Sequence, residues 1–441
     1  MKVLFVGVGL THYYNQVLNR LHQQDDIEIY NLVEQESTNH AGKSVYQTKE
    51  NAIFHVIEQP SVIRKKLSDY SYRAYPELAK LLEHLRPEII VVTDTYLRSF
   101  FDEPKITETM NRIGTKIILK DIPFRLDEYG QRRNRIFSGD ADHEYHPFFA
   151  SIFSTICKKG NIVWLEKFIS SCLHFFHISS MYAHLIGRRV LLRRLEMKKR
   201  LFNSVDAHVD YIDDAHRVFE SYDVPSEKIF IIRNSPDTDA LFVMKDILSK
   251  KPPILPPNPH RLIHVGRLVE WKRVDLLIKA VKNVQRDFPD TELLIIGTGP
   301  KETELKNLAS QYGISNSIQF LGGIYQPEEL GGYLMASQIY ILAGMGGISI
   351  NEAMSYGLPV ICSVCDGTEK KLVRDGLNGL YFRDGDGDDL TAKIRYMFER
   401  PTMTEDMGKN STRIIRDEIN IHTVLNGYRT AFTYVRANVC K

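Results

Sequence analysis

The apolar positions in the first half of the chain fall into short continuous runs, separated by longer stretches in which apolar residues recur at helical spacing. Continuous runs are typical of strands buried on both faces of a parallel sheet, and the stretches between them are typical of covering helices. The predicted strands are residues 3–8, 27–33, 52–57, 88–92, 116–120, 206–213 and 228–232. The predicted helices are residues 11–22, 75–85, 99–113 and 215–222. This alternation predicts a doubly wound α/β domain.

A second alternating series begins at residue 262, beyond a proline-rich segment. Five prolines within residues 250–259 rule out both helix and sheet ladder there, which predicts an extended linker. A chain of 441 residues is also too long for one ordinary core. We therefore expect a first domain at residues 1–245, a linker at 246–260, a second doubly wound domain at 261–420 and a final helix within 421–441.

An insertion at residues 124–200, first aromatic and then basic, interrupts the alternation of the first domain. We expect a mobile polar flap at 125–146, followed by helical spacing at 148–156 and 162–186. Residues 168–187 contain no Asp, Glu, Lys or Arg and are long enough to span a bilayer. Their four serines and three histidines nevertheless make a poor transmembrane helix.

Seven basic residues, accompanied by one acid, follow directly in residues 188–200. An aromatic amphipathic segment beside such a cluster is typical of a helix lying in the plane of an anionic membrane. The alternative is a helical hairpin packed on the domain, whose arginines are solvated or hold pyrophosphate. Under the membrane interpretation the acceptor is lipid-linked, and the contact residues are Trp164, Arg188, Arg189, Arg193 and Arg194.

Composition narrows the class of protein only a little. A hydrophobic fraction of 43% and a charged fraction of 25% are those of a globular protein, and a net charge of +2 gives no overall attraction to nucleic acid. Five cysteines do not form a disulfide framework, and the first residues lead into a strand instead of a signal peptide, so we expect a cytoplasmic protein. Cys362 and Cys365 have redox or zinc spacing, but without a second pair we interpret them as structural.

The most informative motif lies between residues 341 and 379. A strand at 338–342, a glycine-rich turn, a helix at 348–356 and a second strand at 359–363 follow one another there. Free N–H groups and the helix dipole favour an anion where such a turn meets a helix. The turn and the start of the helix contain Gly344, Gly346, Gly347, Ile348 and, one turn further, the acid Glu352.

Other candidate residues follow the ends of predicted strands, where doubly wound sheets bind their ligands. In the second domain these are Gly266, Arg267, Lys272, Gly297 and Gly299, together with Leu321 in the strand and turn at 318–322. In the first domain they are Gly9, Thr11, His12, Asp94 and Asp121. Two alternatives remain open there, because Thr11 can simply cap a helix after a tight turn and Asp121 can be a cap or loop residue.

The spacing Gly266-Arg267-x-x-x-x-Lys272 and the run from Glu352 to Val360 resemble the retaining glycosyltransferases of family 4, of the glycosyltransferase group 1 type. That family has the GT-B fold, in which two Rossmann-like domains face each other across a cleft, and it uses nucleotide-diphosphate sugars. The resemblance is specific over residues 262–400 and moderate over 206–237. Family members usually carry two glutamates eight positions apart; here Glu352 is the second, and Gly344 replaces the first.

The resemblance implies roles for the candidate residues. Arg267 and Lys272 would hold the donor's diphosphate and stabilise the leaving phosphate without a metal or other cofactor. Glu352 would bind the ribose hydroxyls. Near the reacting sugar, where family members often have a histidine, this chain has Lys120 or Asp121 instead. The other donor-binding positions would be Gly9, Gly266, Gly297, Gly299, Leu321, Gly346, Gly347 and Ile348, and Thr11, His12 and Asp94 would face the acceptor. Because Gly344 has no side chain for the donor sugar, the N–H groups of residues 345–348 would substitute in part.

From these patterns we predict a transferase that moves a sugar to an acceptor hydroxyl with retention, in bacterial surface polysaccharide or glycolipid assembly. It would lie at the inner face of the membrane, and its last helix would cross back to the first domain. One alternative is a non-catalytic partner of another transferase. Another is a sugar-nucleotide epimerase, which would use Asp94 and Asp121 as its acid and base.

Overall fold

The computed structural model describes residues 1–35, 48–65, 71–121, 126–138, 188–364 and 367–437. Within these residues, seven strands form one parallel sheet in the order β3-β2-β1-β6-β7-β8-β9, and six form a second in the order β12-β11-β10-β13-β14-β15. Strands β4 and β5 pair as a separate antiparallel hairpin. The two parallel α/β sheets confirm the predicted fold class.

The strands of the first sheet and the hairpin are β1 (Lys2–Val6), β2 (Glu28–Glu34), β3 (His55–Gln59), β4 (Val62–Lys65), β5 (Ser71–Ala74), β6 (Ile89–Thr93), β7 (Lys116–Lys120), β8 (Ala207–Asp210) and β9 (Ile229–Ile231). The strands of the second sheet are β10 (Arg261–Val265), β11 (Glu292–Ile296), β12 (Ile318–Gly322), β13 (Ile339–Leu342), β14 (Val360–Cys362) and β15 (Gly379–Tyr381).

The helices before the second sheet are α1 (His12–His22), α2 (Leu78–Leu85), α3 (Asp94–Leu97), α4 (Ser99–Asp102), α5 (Pro104–Ile113), α6 (Tyr129–Ser138), α7 (188–204), α8 (Asp214–Glu220) and α9 (Thr238–Leu248). Those that follow are α10 (Val274–Val284), α11 (Glu302–Gln311), α12 (Pro327–Met335), α13 (Ser349–Ser355), α14 (Glu369–Leu372), α15 (Gly387–Phe398), α16 (Pro401–Asp417) and α17 (Ile421–Ala437).

Three local predictions were wrong or incomplete. The helix predicted at 99–113 is two helices, because Glu103 is extended before Pro104 and a residue before proline avoids the helical region. The polar loop predicted at 125–146 contains helix α6. The hairpin of β4 and β5 was not predicted at all. The helical stretches predicted at 148–156 and 162–186 lie outside the described residues.

Apolar side chains on both faces of each sheet explain the continuous runs in the sequence. In β1, Val3 and Phe5 join the core on one face, and Leu4 and Val6 join the core on the other. Successive side chains of a strand point to opposite faces, so a strand covered on both sides has no polar positions to alternate with. The second sheet has two cores in the same way.

Two helices connect the halves of the molecule. Helix α9 packs on α12 and α13, next to the second sheet, and the Lys245 ammonium donates to the Ser355 carbonyl at 3.2 Å. Helix α17 packs on α1, β8 and β9 of the first sheet. The hydroxyl groups of Tyr14 and Tyr428, both buried, lie 2.6 Å apart in this contact. The end of the chain is therefore anchored on the first sheet by a buried polar pair.

We predict that Tyr428→Phe lowers the free energy of unfolding by about 1–3 kcal/mol, because it leaves the buried Tyr14 hydroxyl without its partner. The measurement is urea denaturation followed by circular dichroism. The double variant Tyr14→Phe/Tyr428→Phe removes both hydroxyls and should lose less than the sum of the single variants. Additive losses would show that the hydroxyl pair does not couple the two helices.

Candidate active site

The strand order places two pairs of loops where doubly wound sheets bind ligands. In the first sheet the order reverses between β1 and β6, and in the second it reverses between β10 and β13. Loops that leave the carboxyl ends of strands on either side of such a reversal diverge and open a crevice. The residues after β10 and β13 in the second sheet include Arg267, Lys272 and the glycine-rich turn, as the sequence predicted.

Lys272 joins the two loops of the second sheet. It ends the short 3₁₀ turn Glu270–Lys272 and is only 7% exposed. Its ammonium donates to the carbonyl oxygens of Met345, at 2.8 Å, and Gly346, at 2.7 Å. The guanidinium of Arg267 lies over the Trp271 ring, 5.5 Å from its centroid. Both predicted cations therefore belong to the loop after β10, and Lys272 also holds the loop after β13.

Gly344 packs against the backbone of this turn. A Cβ atom added at Gly344 would lie 2.2 Å from the carbonyl oxygen of Trp271 and 2.7 Å from the carbonyl carbon of Lys272. The next residue, Met345, donates its N–H to the same Trp271 oxygen at 2.9 Å. No side chain fits at position 344 in this arrangement. The N–H of Met345 is engaged within the protein, so the expectation that it contacts the donor sugar was wrong.

Glu352 lies on the short helix α13 behind the glycine-rich turn. The side chain is partly exposed, yet its carboxyl group is surrounded closely enough that burial raises its pKa to about 7. On the same helix the Ser349 hydroxyl lies 2.7 Å from the hydroxyl of the buried Tyr340 in β13. Near neutral pH the protonated and the ionised forms of this carboxyl group are therefore both populated. A ligand that donates hydrogen bonds to it would favour the ionised form.

Two further glycines of the second sheet allow backbones to approach each other. A Cβ atom at Gly297 would lie 1.9 Å from the Gly266 oxygen, and one at Gly299 would lie 2.3 Å from the Leu268 oxygen. The loop after β11 therefore packs directly on the loop after β10. Leu321, in β12, is partly buried and packs against one of the two cores of the second sheet. Packing within the protein therefore explains the residues at positions 297, 299 and 321 without a bound ligand.

The loops of the first sheet enclose a cavity of about 450 Å³ at the carboxyl ends of its strands. Thr11 lines this cavity, and its buried hydroxyl has no hydrogen-bond partner among the described residues. It occupies the N-cap position of α1 without making a side-chain cap bond, so the capping interpretation of Thr11 was wrong. Gly9 instead holds the loop, because its carbonyl accepts from the Asn31 amide at 2.8 Å.

A group of buried and partly buried titratable side chains lies at the wall of this cavity. Lys120, Asp121 and Asp210 all line it, at the ends of the neighbouring strands β7 and β8. Burial raises the pKa of Asp210 well above its usual value, and Asp121 adds to this while Lys120 opposes it. Burial also lowers the pKa of Lys120, against the pull of the two carboxylates. Asp210 was not among the predicted residues, although an acid at the end of an apolar run was visible in the sequence.

Side chains from both halves meet across the crevice. The rings of His12 and Tyr325 are 6.1 Å apart in an edge-to-face contact, and burial lowers the pKa of His12. The Asn351 amide donates to the Asn234 carbonyl at 3.2 Å. The first-sheet cavity and the loops of the second sheet therefore belong to one cleft, with His12 at the junction.

The basic segment forms helix α7, whose arginines differ in environment. Arg189 and Arg193 are exposed, whereas Arg188 and Arg194 are partly buried. Arg194 lines a separate cavity together with Asp94, which also lines the first cavity. Trp164 lies outside the described residues. None of the described helices is both long and apolar enough to pass through a bilayer.

A comparison with known protein families matches the part of the chain that contains the second-sheet loops of this site. The family model "Glycosyl transferases group 1" matches residues 246–414, which contain the loops after β10 and β13. The uncharacterized glycosyltransferase MJ1069 of Methanocaldococcus jannaschii is 29% identical over 180 residues, which are 40% of this chain and 45% of that protein. The putative colanic acid biosynthesis glycosyltransferase WcaL of Salmonella typhimurium is 26% identical over 284 residues, which are 60% of this chain and 66% of that protein. The chain thus spans less than two thirds of either relative's length.

The fold matches solved structures over nearly the whole chain. The crystal structure of Anabaena Alr3699/HepE in complex with UDP superposes with a TM-score of 0.61 at 15% identity and covers 98% of this chain and 100% of that one. At this level of identity the likeness concerns the fold alone.

We predict that Gly344→Ala destabilises the protein by about 1–3 kcal/mol, because even a methyl group must displace the Trp271–Lys272 backbone. The measurement is the free energy of unfolding in urea. The matched control is Gly130→Ala in helix α6, where an added Cβ meets no atom within 4 Å. The control should leave stability unchanged or raise it slightly. Equal effects of the two substitutions would contradict the close contact at Gly344.

Proposed function

Because residues 246–414 form a glycosyl transferases group 1 domain within a GT-B fold, we propose that this protein transfers a sugar from a nucleotide-diphosphate sugar to an acceptor hydroxyl. The observation that carries the proposal is the loop after β10, in which Arg267 lies over the Trp271 ring and Lys272 donates to the carbonyls of the glycine-rich loop. It brings two cations to the reversal point of the second sheet, where doubly wound sheets bind their ligands, and Glu352 lies on the helix that follows the glycine-rich loop.

The proposed reaction retains the configuration of the anomeric carbon. The acceptor oxygen forms a bond to that carbon on the face from which the leaving phosphate departs, the carbon–oxygen bond to the phosphate breaks, and the leaving phosphate takes both the electron pair and the acceptor's proton. Negative charge therefore grows on the phosphate in the transition state. Arg267 and Lys272 stabilise that charge from fixed positions, so that the reaction proceeds without a metal ion.

Glu352 is proposed to bind the ribose of the donor. An ionised carboxylate accepts two hydrogen bonds from neighbouring hydroxyl groups, and such charge-assisted bonds are stronger than neutral ones. The donor sugar itself meets no carboxylate at position 344, because that position holds glycine and has no room for a side chain. We propose that residues 346–348 contact the sugar through their backbone.

The first-sheet cavity is the proposed acceptor side. Thr11 and Asp121 line it, and His12 lies beside it at the junction of the two halves. The partly buried Lys120 and the buried Asp210 set the charge at its wall. We propose that Asp121 contacts the reacting hydroxyl or the transferred sugar.

We further propose that the acceptor is a bacterial surface polysaccharide or glycolipid intermediate, glycosylated at the inner face of the membrane. Helix α7 presents Arg189 and Arg193 on its exposed side, and exposed basic side chains next to one another attract anionic lipid headgroups. The relative named for colanic acid biosynthesis supports the polysaccharide assignment. A cytoplasmic location follows from this proposal.

The test of transferase activity is a panel of UDP- and GDP-sugars incubated with the purified protein, with products followed by mass spectrometry and the anomeric configuration by NMR. One donor should be turned over, and Arg267→Ala/Lys272→Ala should lower the rate by about 100-fold or more. The matched control is Lys306→Ala, which removes a surface cation from helix α11 and should leave the rate unchanged. Absence of both turnover and nucleotide binding would favour a non-catalytic partner, and epimerised donor would favour an epimerase.

The raised pKa of Glu352 predicts how donor affinity depends on pH. Hydroxyl donors favour the ionised carboxylate, which is the minor form below its pKa of about 7. Affinity for the nucleotide sugar should therefore rise by up to about tenfold between pH 6 and pH 8, and the Glu352→Gln variant should show no such rise. Calorimetric titration measures both. A nucleotide sugar suits the test because its diphosphate stays fully ionised over this range. A wild-type affinity that is independent of pH would exclude Glu352 from ribose binding.

A further inference from the structure

A second cavity, of about 700 Å³, lies beside the first-sheet cavity. Its walls come from the β4–β5 hairpin, the short helix α3 with the residue that follows it, the start of the 126–138 segment, and helix α7. The two cavities share four lining residues, which are Asp94, Thr95, Leu126 and Lys198. Lys198 and Asp94 form an ion pair of 3.5 Å at this shared wall. A ligand that fills the second cavity therefore reaches the first.

Positive charge dominates the lining of the second cavity. Among the described residues, its basic lining side chains are Arg73, Arg98, Arg132, Arg194 and Lys198. Among the same described residues, two acids, Asp94 and Asp127, line it with them. This described part of the lining therefore has a formal excess of three positive charges, in a protein whose net charge is only +2. A concentration of guanidinium groups on a concave surface is suited to phosphate, which guanidinium can bind through two parallel hydrogen bonds.

Contacts from outside the cavity hold two of these cations in position. Arg73 donates to Glu34 and to the Ser61 hydroxyl. Arg98 is paired with Asp102 one turn further along the chain, and its guanidinium lies 5.1 Å from the centre of the Tyr72 ring. Neither Glu34 nor Asp102 lines the cavity. These partners offset part of the guanidinium charge from outside the lining, and they also fix the two guanidinium groups in position, so that these groups are preorganised for hydrogen bonds to an anion.

Apolar side chains form much of the rest of the wall, which also contains Ser71, Tyr72, Thr95 and Tyr222. The apolar side chains come from the hairpin, from residue 126 and from helix α7, and they are Ile63, Leu126, Leu191, Leu195, Met197 and Leu201. A purely ionic ligand would gain nothing from such a surface. A phosphate attached to an apolar chain would use both parts of the lining, since burial of apolar area is favourable in itself.

We propose that this second cavity binds the phosphate or diphosphate group of the acceptor, while the hydroxyl to be glycosylated reaches the first cavity beside Asp121. This inference rests on the proposed transferase function and specifies its acceptor as a phosphate-bearing molecule. Two sources share that chemistry, namely a lipid-linked diphosphate and a soluble phosphorylated sugar. The apolar wall favours the lipid-linked one.

The side of helix α7 that lines the cavity differs from the side that we propose to face the membrane. Arg194 and Lys198, four residues apart, line the cavity, whereas Arg189 and Arg193 are exposed. Substitutions can therefore separate an effect on the cavity from an effect on membrane attraction.

The experiment is calorimetric titration with inorganic pyrophosphate in the Arg267→Ala/Lys272→Ala background, which removes the proposed donor-phosphate site. Pyrophosphate should bind this protein, and adding Arg194→Gln/Lys198→Gln should weaken binding by about tenfold or more. The matched control, Lys105→Gln/Arg200→Gln, removes two exposed cations that do not line the cavity and should change little. Melting temperatures of all variants verify that they fold. Absence of binding, or equal weakening by both pairs, would overturn the proposal.

Two further arms identify the source of the phosphate and separate this proposal from the transferase function. Farnesyl diphosphate should bind more tightly than pyrophosphate if the acceptor is lipid-linked, and equal affinities would assign a soluble phosphorylated acceptor. Nucleotide-sugar affinity should be unchanged by Arg194→Gln/Lys198→Gln in the otherwise wild-type protein. Loss of pyrophosphate binding with intact nucleotide binding supports the cavity. Missing nucleotide binding with intact pyrophosphate binding would refute only the transferase function.

Discussion

The buried ammonium of Lys272 is the constraint on which the second-sheet side of the cleft depends. A charge that is almost removed from water is unfavourable unless polar groups surround it, and here the carbonyl oxygens of Met345 and Gly346 do so. Those carbonyls reach the ammonium because Gly344 lies directly on the Trp271–Lys272 backbone. A side chain at position 344 would push the loop away and leave the ammonium without these acceptors. Glycine at 344 and the buried lysine at 272 therefore form one structural unit.

The contact between Gly344 and the Lys272 turn also concerns the first glutamate of the family motif, which this chain lacks because Gly344 stands in its place. A glutamate in that place would bring a negative charge beside Lys272, whereas this chain offers carbonyl dipoles, which hold the ammonium without neutralising it. Under the proposed function, Lys272 keeps its charge for the donor's phosphate, and the donor sugar has no carboxylate contact at position 344. Within the proposed function, the backbone of the glycine-rich loop and the wall of the first-sheet cavity that contains Asp121 determine the selectivity for the sugar.

The sequence was informative where burial alone decides structure. The predicted strands and most of the predicted helices lie within three residues of the observed ones, because sheets covered on both faces require continuous apolar runs. Strand β15 and several helices, such as α9, α12 and α16, were not predicted. The β4–β5 hairpin escaped prediction since its exposed Ile63 and its basic residues show no clear alternation. The predicted positions of Arg267, Lys272 and Glu352 follow from strand ends. Asp210 could not be predicted as a site residue without the order of the strands in the sheet, because the pairing of β7 with β8 brings it close to Lys120. No pattern in the sequence indicates that Gly344 touches a backbone distant along the chain.

The contacts between the two halves are of a kind that permits the cleft to open and close. Across the cleft the Asp213–Lys371 ion pair, at 2.7 Å, joins partly exposed side chains, and such pairs contribute little net stability. The Asn351–Asn234 hydrogen bond adds about 1 kcal/mol at most by ordinary standards. By contrast, α9 packs on α12 and α13 beside the second sheet, and α17 packs on α1, β8 and β9 of the first. Within the proposed function, closure of the cleft around the donor would break and form the weak contacts at the rim, while the packing of α9 and α17 would persist.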